Sequence, residues 1–511
     1  MFQTESFRRG ISYSVLLNVV AKVFGFAQSL AIAYYFGSRQ STDVFFLSFS
    51  LASFLAIFVS MLNSAAIIPE AMRLERQGSS KQAQSFINFF LYGYTVLSIA
   101  LIIVFMSFPV DLLRVFSQFP ESVLREQKSV ITFTLGLCSV LILTQYLVEV
   151  LTSYKYFVLS MLSSIVTNIL CVVFIFFAHD TLGVLSIVVG FYASAILQII
   201  SLVWILQRDL HWTFDLAWPV FSTQVKKNIF FGQLGNIFSV VGGYAPQYIL
   251  SGLSMGVITG LNFAQRVGDL PTTIVTGQIS LVSGIKLNGV VAENKHAEIS
   301  RVFVSSAKLL VFVLAPISAI FFFYSEPIIA LLFYRGAFSY DAVIIAKSFL
   351  QFLALAFPFF GVFTIGQRLF MAGQLNAKTF WYQAANNVLL VILIFVLARS
   401  IGYLAYPIAL AVITLTNTLV NGLFVKRYFP FIKYSKVLWY AIGVMMLNYV
   451  AAQLFYLGLH AFAVKPLYLL ALACALQAGI IFLFTVVFSL NADVKEIVVS
   501  VFGKVRTRKG K

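Results

Sequence analysis

VFFLSFSLASFLAIFVSMLNSAAII (44–68) runs its whole length without a charged side chain. About 20 apolar residues in a helix cross the hydrocarbon core of a bilayer, so this stretch predicts a membrane-spanning helix. The rest of the chain repeats the pattern. Of its 511 residues, 60% are hydrophobic, 54 are Phe, and only 10% are charged. A soluble domain averages about 25% charged residues. Segmentation gives about fourteen spans, near 11–36, 44–68, 86–108, 130–152, 157–178, 184–206, 228–250, 256–288, 303–324, 342–370, 381–398, 401–425, 437–458 and 467–489. The expected fold class is all-α and polytopic. The eighth and tenth segments are long enough to be bent or tilted. The first run follows Phe7, Arg8 and Arg9 without a small-residue cleavage pattern close behind, so it reads as a retained span.

Basic residues set the orientation. With the N-terminus in the cytoplasm, the inner side receives Arg8, Arg9, Arg73, Arg76, Lys81, Lys155, Arg208, Lys226, Lys227, Lys295, Arg301, Lys378, Lys426, Arg427, Lys433, Lys436 and the tail from Lys495. The outer side receives Arg39, Arg114, Arg125, Lys128, Arg335, Arg399 and Lys465. This positive-inside bias predicts an even number of spans with both termini cytoplasmic. It also accounts for the net charge of +17 without a nucleic-acid partner. The tail VFGKVRTRKGK (501–511) suits either anionic headgroups or plain solvation. Between the sixth and seventh spans, DLHWTFDLAWPVFSTQVKK (209–227) is amphipathic, and Trp212 and Trp218 suit an interfacial linker. The expected organisation is a six-helix lobe at 1–208, this linker at 209–227, a second six-helix lobe at 228–428, two further spans within 429–490, and a basic tail at 491–511.

The three cysteines and the histidines (His179, His211, His296 and His460) are scattered and suggest neither a disulfide framework nor a zinc site. Walker A and HExxH patterns are missing from the sequence. No enzyme activity, cofactor or metal is therefore expected. Transport would draw on a gradient, the membrane potential or consumption of the substrate.

Four motifs carry a resemblance. YYFGSRQSTDVFFLSF (34–49), NFAQRVGDLP (262–271), LFYRGAFSYDA (332–342) and FMAGQLNAKT (370–379) resemble the MurJ/MviN family of lipid II flippases in order and spacing. That family belongs to the superfamily of multidrug, oligosaccharide-lipid and polysaccharide exporters. The resemblance implies two six-helix bundles around a central cavity plus two C-terminal helices. It further implies a bacterial cytoplasmic (inner) membrane location and a polyprenyl-pyrophosphate-linked glycan as substrate. Membrane lipids, an unidentified coupling ion and cell-envelope glycan assembly enzymes are the other expected partners. Competing functions are export of an O-antigen or capsule unit, drug/cation antiport, and a transport-inactive scaffold.

Ionisable side chains at bilayer depth are costly and normally face a cavity or a partner. Six basic residues fall inside the expected spans: Lys22, Arg266, Lys286, Lys308, Lys347 and Arg368. Arg266 and Asp269 stand at i, i+3 and can share a helix face. They form either a structural pair or a phosphate-binding arginine with its orienting carboxylate. The resemblance implies the second, since the matching arginine belongs to the family's cationic cavity. Lys22 sits where the flippases tend to carry an essential first-span arginine; it keeps the charge and loses the bidentate fork. Asp43 is either an N-cap beside Ser41 and Thr42 or, by resemblance, part of the cavity or its outer gate. Gln28 stands where a second arginine is usual, and the second-span arginines are replaced by small or apolar residues around Ser53 to Ala56. Glu149 can pair with Lys155, meet the substrate, or take a coupling proton. Asn63, Ser64, Asn386, Asn387, Thr416 and Asn417 can join helices by hydrogen bonds, which are modest in membranes.

Overall fold

The computed structural model describes residues 7–215, 218, 223–460 and 466–486. Lipid offers the backbone no hydrogen-bond partners, so a spanning segment must satisfy its own N–H and C=O groups. Accordingly the described residues are helical, with turns and no strand. The long helices are α1 (Phe7–Phe36), α2 (Gln40–Arg76), α3 (Ser80–Ser107), α4 (Lys128–Ser153), α5 (Phe157–Leu182), α6 (Leu185–Leu210), α7 (Thr223–Leu250), α8 (Val257–Ala292), α9 (His296–Phe323), α10 (Tyr340–Ala354 continued by Phe357–Ala372), α11 (Asn376–Ile401), α12 (Ala405–Tyr428), α13 (Tyr434–His460) and α14 (Pro466–Val486). Each expected segment falls on one of them. Among the described residues, ten continuous helical stretches are long and apolar enough to cross a membrane, or eleven with the bent α10.

Three of these helices are irregular. Helix α10 bends by 48° at its break, with Pro358 in the first turn of its second half. A proline there lacks only an N–H that has no helical partner anyway. Helix α8 contains Pro271 and passes at once into a π-helical turn, Thr272–Thr276. Proline cannot donate to the carbonyl four residues back, and the ladder re-registers just beyond it. Helix α2 carries a second π turn, Asn63–Ile67.

The chain divides into two compact units. Unit 1 holds Met1–Asn262, Arg335–Ala342 and Ile394–Ala398; unit 2 holds Phe263–Tyr334, Val343–Leu393 and Arg399–Lys511. In unit 1, α2 packs on α4 and α7, and α5 on α1 and α6. The buried Tyr146 of α4 donates its hydroxyl to the Ile87 carbonyl of α3 at 2.8 Å. In unit 2 the core joins Phe303, Leu310 and Leu314 of α9 to Ile365 and Leu369 of α10, Val425 of α12 and Val437 of α13. The outward side of α3 is apolar instead: Val96, Ile103 and Met106 are more than half exposed. Such a surface is a liability in water and a fit for acyl chains.

The interfacial reading of Trp212 is corrected. Trp212 is buried; its indole N–H donates to Asn88 Oδ1 on α3 at 2.8 Å. The Asn88 amide in turn donates to the Thr213 carbonyl at 2.7 Å, and the Tyr92 hydroxyl to the Phe214 carbonyl at 2.6 Å. An indole N–H needs a partner when buried, and α3 supplies it. The segment after α6 is thus fastened to α3. Trp218 is exposed, while residues 216–217 and 219–222 of the expected linker, and the basic tail, lie outside the described residues.

Candidate functional site

In α8, Phe263, Ala264 and Val267 are buried, whereas Arg266 and Asp269 are exposed on the accessible face. The i, i+3 spacing produces this sharing of a face, and the two charges interact electrostatically. Gln265 Nε2 donates to the Tyr406 hydroxyl at 3.3 Å, tying α8 to α12 within unit 2. The π turn begins three residues past Asp269; such turns recur at functional sites. An accessible guanidinium in a membrane-spanning helix can meet an anion, since its planar fork matches phosphate oxygens.

Three of the other intramembrane cations have local partners. Lys347 is ion-paired with Glu326, Arg368 Nε donates to Ser280 Oγ at 2.9 Å, and Lys308 lies 5.3 Å from the Tyr440 ring centroid. Lys22 is half-buried on α1, with no ion pair among the described residues. One turn of α1 is strapped to α5 beside it, since Asn168 Nδ2 donates to the Ala21 carbonyl at 3.3 Å. Gln28 is buried farther along α1.

Asp43 does not cap its own helix. Its carboxylate is buried and accepts the Gly256 N–H at 2.5 Å, the Thr259 N–H at 2.8 Å and the Thr259 hydroxyl at 2.5 Å. It therefore caps the start of α8 from α2, a long-range form of the usual N-cap, with a negative charge at the positive end of a helix. All three acceptor contacts are spent inside the protein.

Glu149 forms no ion pair with Lys155 among the described residues; Lys155 has a left-handed backbone (φ 72). Glu149 Oε1 instead accepts from Ser60 Oγ of α2 at 2.5 Å and from Gln145 Nε2 at 2.9 Å. Its Oε2 is buried with no hydrogen-bond partner. The Tyr94 hydroxyl donates to Asn63 Oδ1 at 2.7 Å, joining α3 to the π turn of α2. Gln145 also lines a unit 1 cavity of about 350 Å³ between α2, α4, α5 and α6. Ser53, Thr144, Ser163, Thr167 and Gln198 share that wall, and every lining residue is uncharged. Elsewhere, Asn417 accepts from Tyr382 at 2.5 Å and so joins α12 to α11, while Ser64 and Thr416 bond only to their own helices.

One contact escaped the sequence reading. The segment Arg335–Ala342 belongs to unit 1, and the Ala337 N–H donates to the Tyr34 carbonyl at 2.8 Å. Gly37 and Gly336 both have left-handed φ, +61° and +62°. A Cβ at Gly37 would lie 2.1 Å from the Ala337 carbonyl oxygen, and one at Gly336 would lie 2.3 Å from that of Tyr34. Only glycine fits either position. The signal was present in two quoted motifs, YFGSR and YRGAF, but nothing local says that they meet.

The sequence model described as "Lipid II flippase MurJ" matches residues 32–492. The probable lipid II flippase MurJ of Borreliella burgdorferi is 25% identical over 370 residues, covering 71% of this chain and 72% of that protein. The Aquifex aeolicus protein of the same name is 23% identical over 433 residues, covering 81% of this chain and 82% of its own length. Among solved structures, a lipid II flippase MurJ in an inward closed conformation superposes with a TM-score of 0.79 at 18% identity, covering 93% of this chain and 98% of that one. An inward-facing multidrug resistance MATE transporter follows at 0.69 and 13% identity, covering 81% and 98%. At these identities the structural likenesses establish the fold.

Proposed function

The chain belongs to the lipid II flippase MurJ family, and from that premise we propose that it moves undecaprenyl-pyrophosphate-linked peptidoglycan precursor from the inner to the outer leaflet by alternating access. The observation that carries the site assignment is the accessible Arg266 with Asp269 on the same face of α8. Arg266 is the phosphate ligand and Asp269 holds its guanidinium in place. Lys22 contributes charge from α1. Asp43 acts in gating, because its carboxylate is occupied by the start of α8. The polyprenyl tail stays in lipid, so only the polar head needs to be desolvated and passed across.

One observation favours a neighbouring substrate. The unit 1 cavity sets hydroxyls and amides among apolar side chains and carries no cation, which suits a neutral glycan of another polyprenyl-linked polysaccharide unit. Reconstitution in liposomes with defined polyprenyl-pyrophosphate glycans separates the two. Flipping of the peptidoglycan precursor is the expected result; flipping confined to other glycans would transfer the assignment to them.

We further place both termini in the cytoplasm, on the positive-inside bias. Single cysteines in 70–84 and 500–511 should be labelled only by reagents that enter the cell. Cysteines in 111–128 should react with impermeant ones. Extracellular labelling of 500–511 would overturn this topology.

A further inference from the structure

Glu149 is a carboxylate placed where a carboxylate is costly. It lies in a membrane-spanning helix, and among the described residues no lysine or arginine pairs with it. Two donors, Ser60 Oγ and Gln145 Nε2, converge on Oε1, while Oε2 is buried and unpartnered. A structural carboxylate normally has both oxygens satisfied or a counter-charge. The ionisable groups around it are Tyr94 on α3 and Tyr146 on its own helix, both within electrostatic reach. A turn farther on, the Tyr154 hydroxyl donates to Glu75 of α2 at 3.2 Å. Arg73 of α2 is already paired with Glu70 at 2.6 Å. Tyr192 of α6 is bonded to the Phe133 carbonyl, sixteen residues away along α4. None of these supplies a positive charge to Glu149.

The same carboxylate is one hydrogen bond from a cavity. Gln145 lines the 350 Å³ space and touches Glu149 directly. Ser60, the other donor, stands three residues before the π turn of α2. We propose that Glu149 is a proton-binding residue beside the unit 1 cavity, whose protonation loosens the tie between α2 and α4. The step is a simple transfer: a hydronium ion gives its proton to the half-buried carboxylate and leaves as water, and the carboxylate becomes a neutral acid. Charge-assisted bonds from Ser60 and Gln145 to Oε1 then become ordinary ones, which are weaker. The helix that loses this hold is α2, beside its π turn. Protonation thereby biases the conformation of the helix that carries Asp43, and a proton gradient becomes a drive for transport. The coupling half of this inference rests on the flippase reading; the proton-binding half does not.

The experiment uses the full chain in lipid nanodiscs and in liposomes. Infrared difference spectra across pH should show a carboxyl C=O band that titrates in the wild type and is missing in Glu149→Gln. The amide keeps an acceptor for Ser60 and Gln145, so this variant should fold, with a modest loss of stability from the amide donors left at the Oε2 position. In liposomes, flipping of the peptidoglycan precursor should respond to an imposed pH gradient by up to about tenfold per unit, the ratio of proton activities. Glu149→Gln should flip at a rate that ignores the gradient. A wild-type band that survives in Glu149→Gln overturns the proton site, and an unchanged gradient response in that variant overturns the coupling. If the wild type flips no peptidoglycan precursor, the flippase reading falls, while the infrared titration still decides whether Glu149 binds a proton.

Discussion

Replacing Arg266 with alanine is expected to reduce flipping about 100-fold or more in reconstituted liposomes while leaving folded protein. The side chain is exposed on α8, whereas Phe263, Ala264 and Val267 hold the helix in its unit. Truncation therefore removes little packed surface, and the melting point should move by no more than a surface substitution moves it, within roughly 0.5 kcal/mol. Transport should suffer far more. A charge-assisted contact to a desolvated phosphate is worth about 3 kcal/mol, or some two decades in rate. Arg266→Lys should keep part of the activity, with about a tenfold loss, because the charge stays and the planar fork goes. Asp269→Asn should cost less still, since an amide oxygen can accept from a guanidinium. The double variant Arg266→Asp with Asp269→Arg separates a structural pair from a ligand. A structural pair would be restored by the swap in both folding and transport; a phosphate ligand would be restored in folding alone. Wild-type rates in Arg266→Ala, or in the swap, would sink the site.

Asp43→Ala is expected to act in the opposite way, on stability first. It strips the start of α8 of its cap and leaves the Gly256 and Thr259 N–H groups without their acceptor in a buried place. Loss of a cap costs about 1 kcal/mol. Each buried donor left unsatisfied adds roughly 1–3 kcal/mol, so a total near 3 kcal/mol is expected. Asp43→Asn keeps an acceptor and gives up the charge at the helix N-terminus, and should lose only about 1 kcal/mol. The readouts are thermal unfolding and labelling of Thr259→Cys, a position that is fully buried with Asp43 in place. Labelling from outside should rise in the Asp43→Ala background as the start of α8 comes loose. If Asp43 were a substrate ligand instead, the alanine variant would keep its melting point and its protection of position 259 and would lose only transport.

The sequence by itself determined that the chain is a membrane protein and where its helices run. The reason is that lipid leaves a backbone one spanning solution here, so a long apolar run becomes a helix whatever its neighbours do. It also determined that Arg266 and Asp269 share a face, because i, i+3 spacing is a property of the helix itself. The length of the eighth and tenth segments marked them as bent or tilted, and the structure has a π turn after Pro271 in the one and a break at Pro358 in the other. What tertiary structure alone decided is partnership. Asp43 looked like a local cap and proved to cap a helix more than 200 residues away. Glu149 had a lysine six residues ahead and bonded to Ser60 on another helix instead. Trp212 had the look of an interfacial anchor, yet it is buried against Asn88. Gly37 and Gly336 read as ordinary turn glycines until two distant backbones met at 2.8 Å. Helical periodicity is carried by residues within one turn of each other and can be read along the chain. A hydrogen bond between helices depends on which faces the fold brings together, and no local pattern carries that choice.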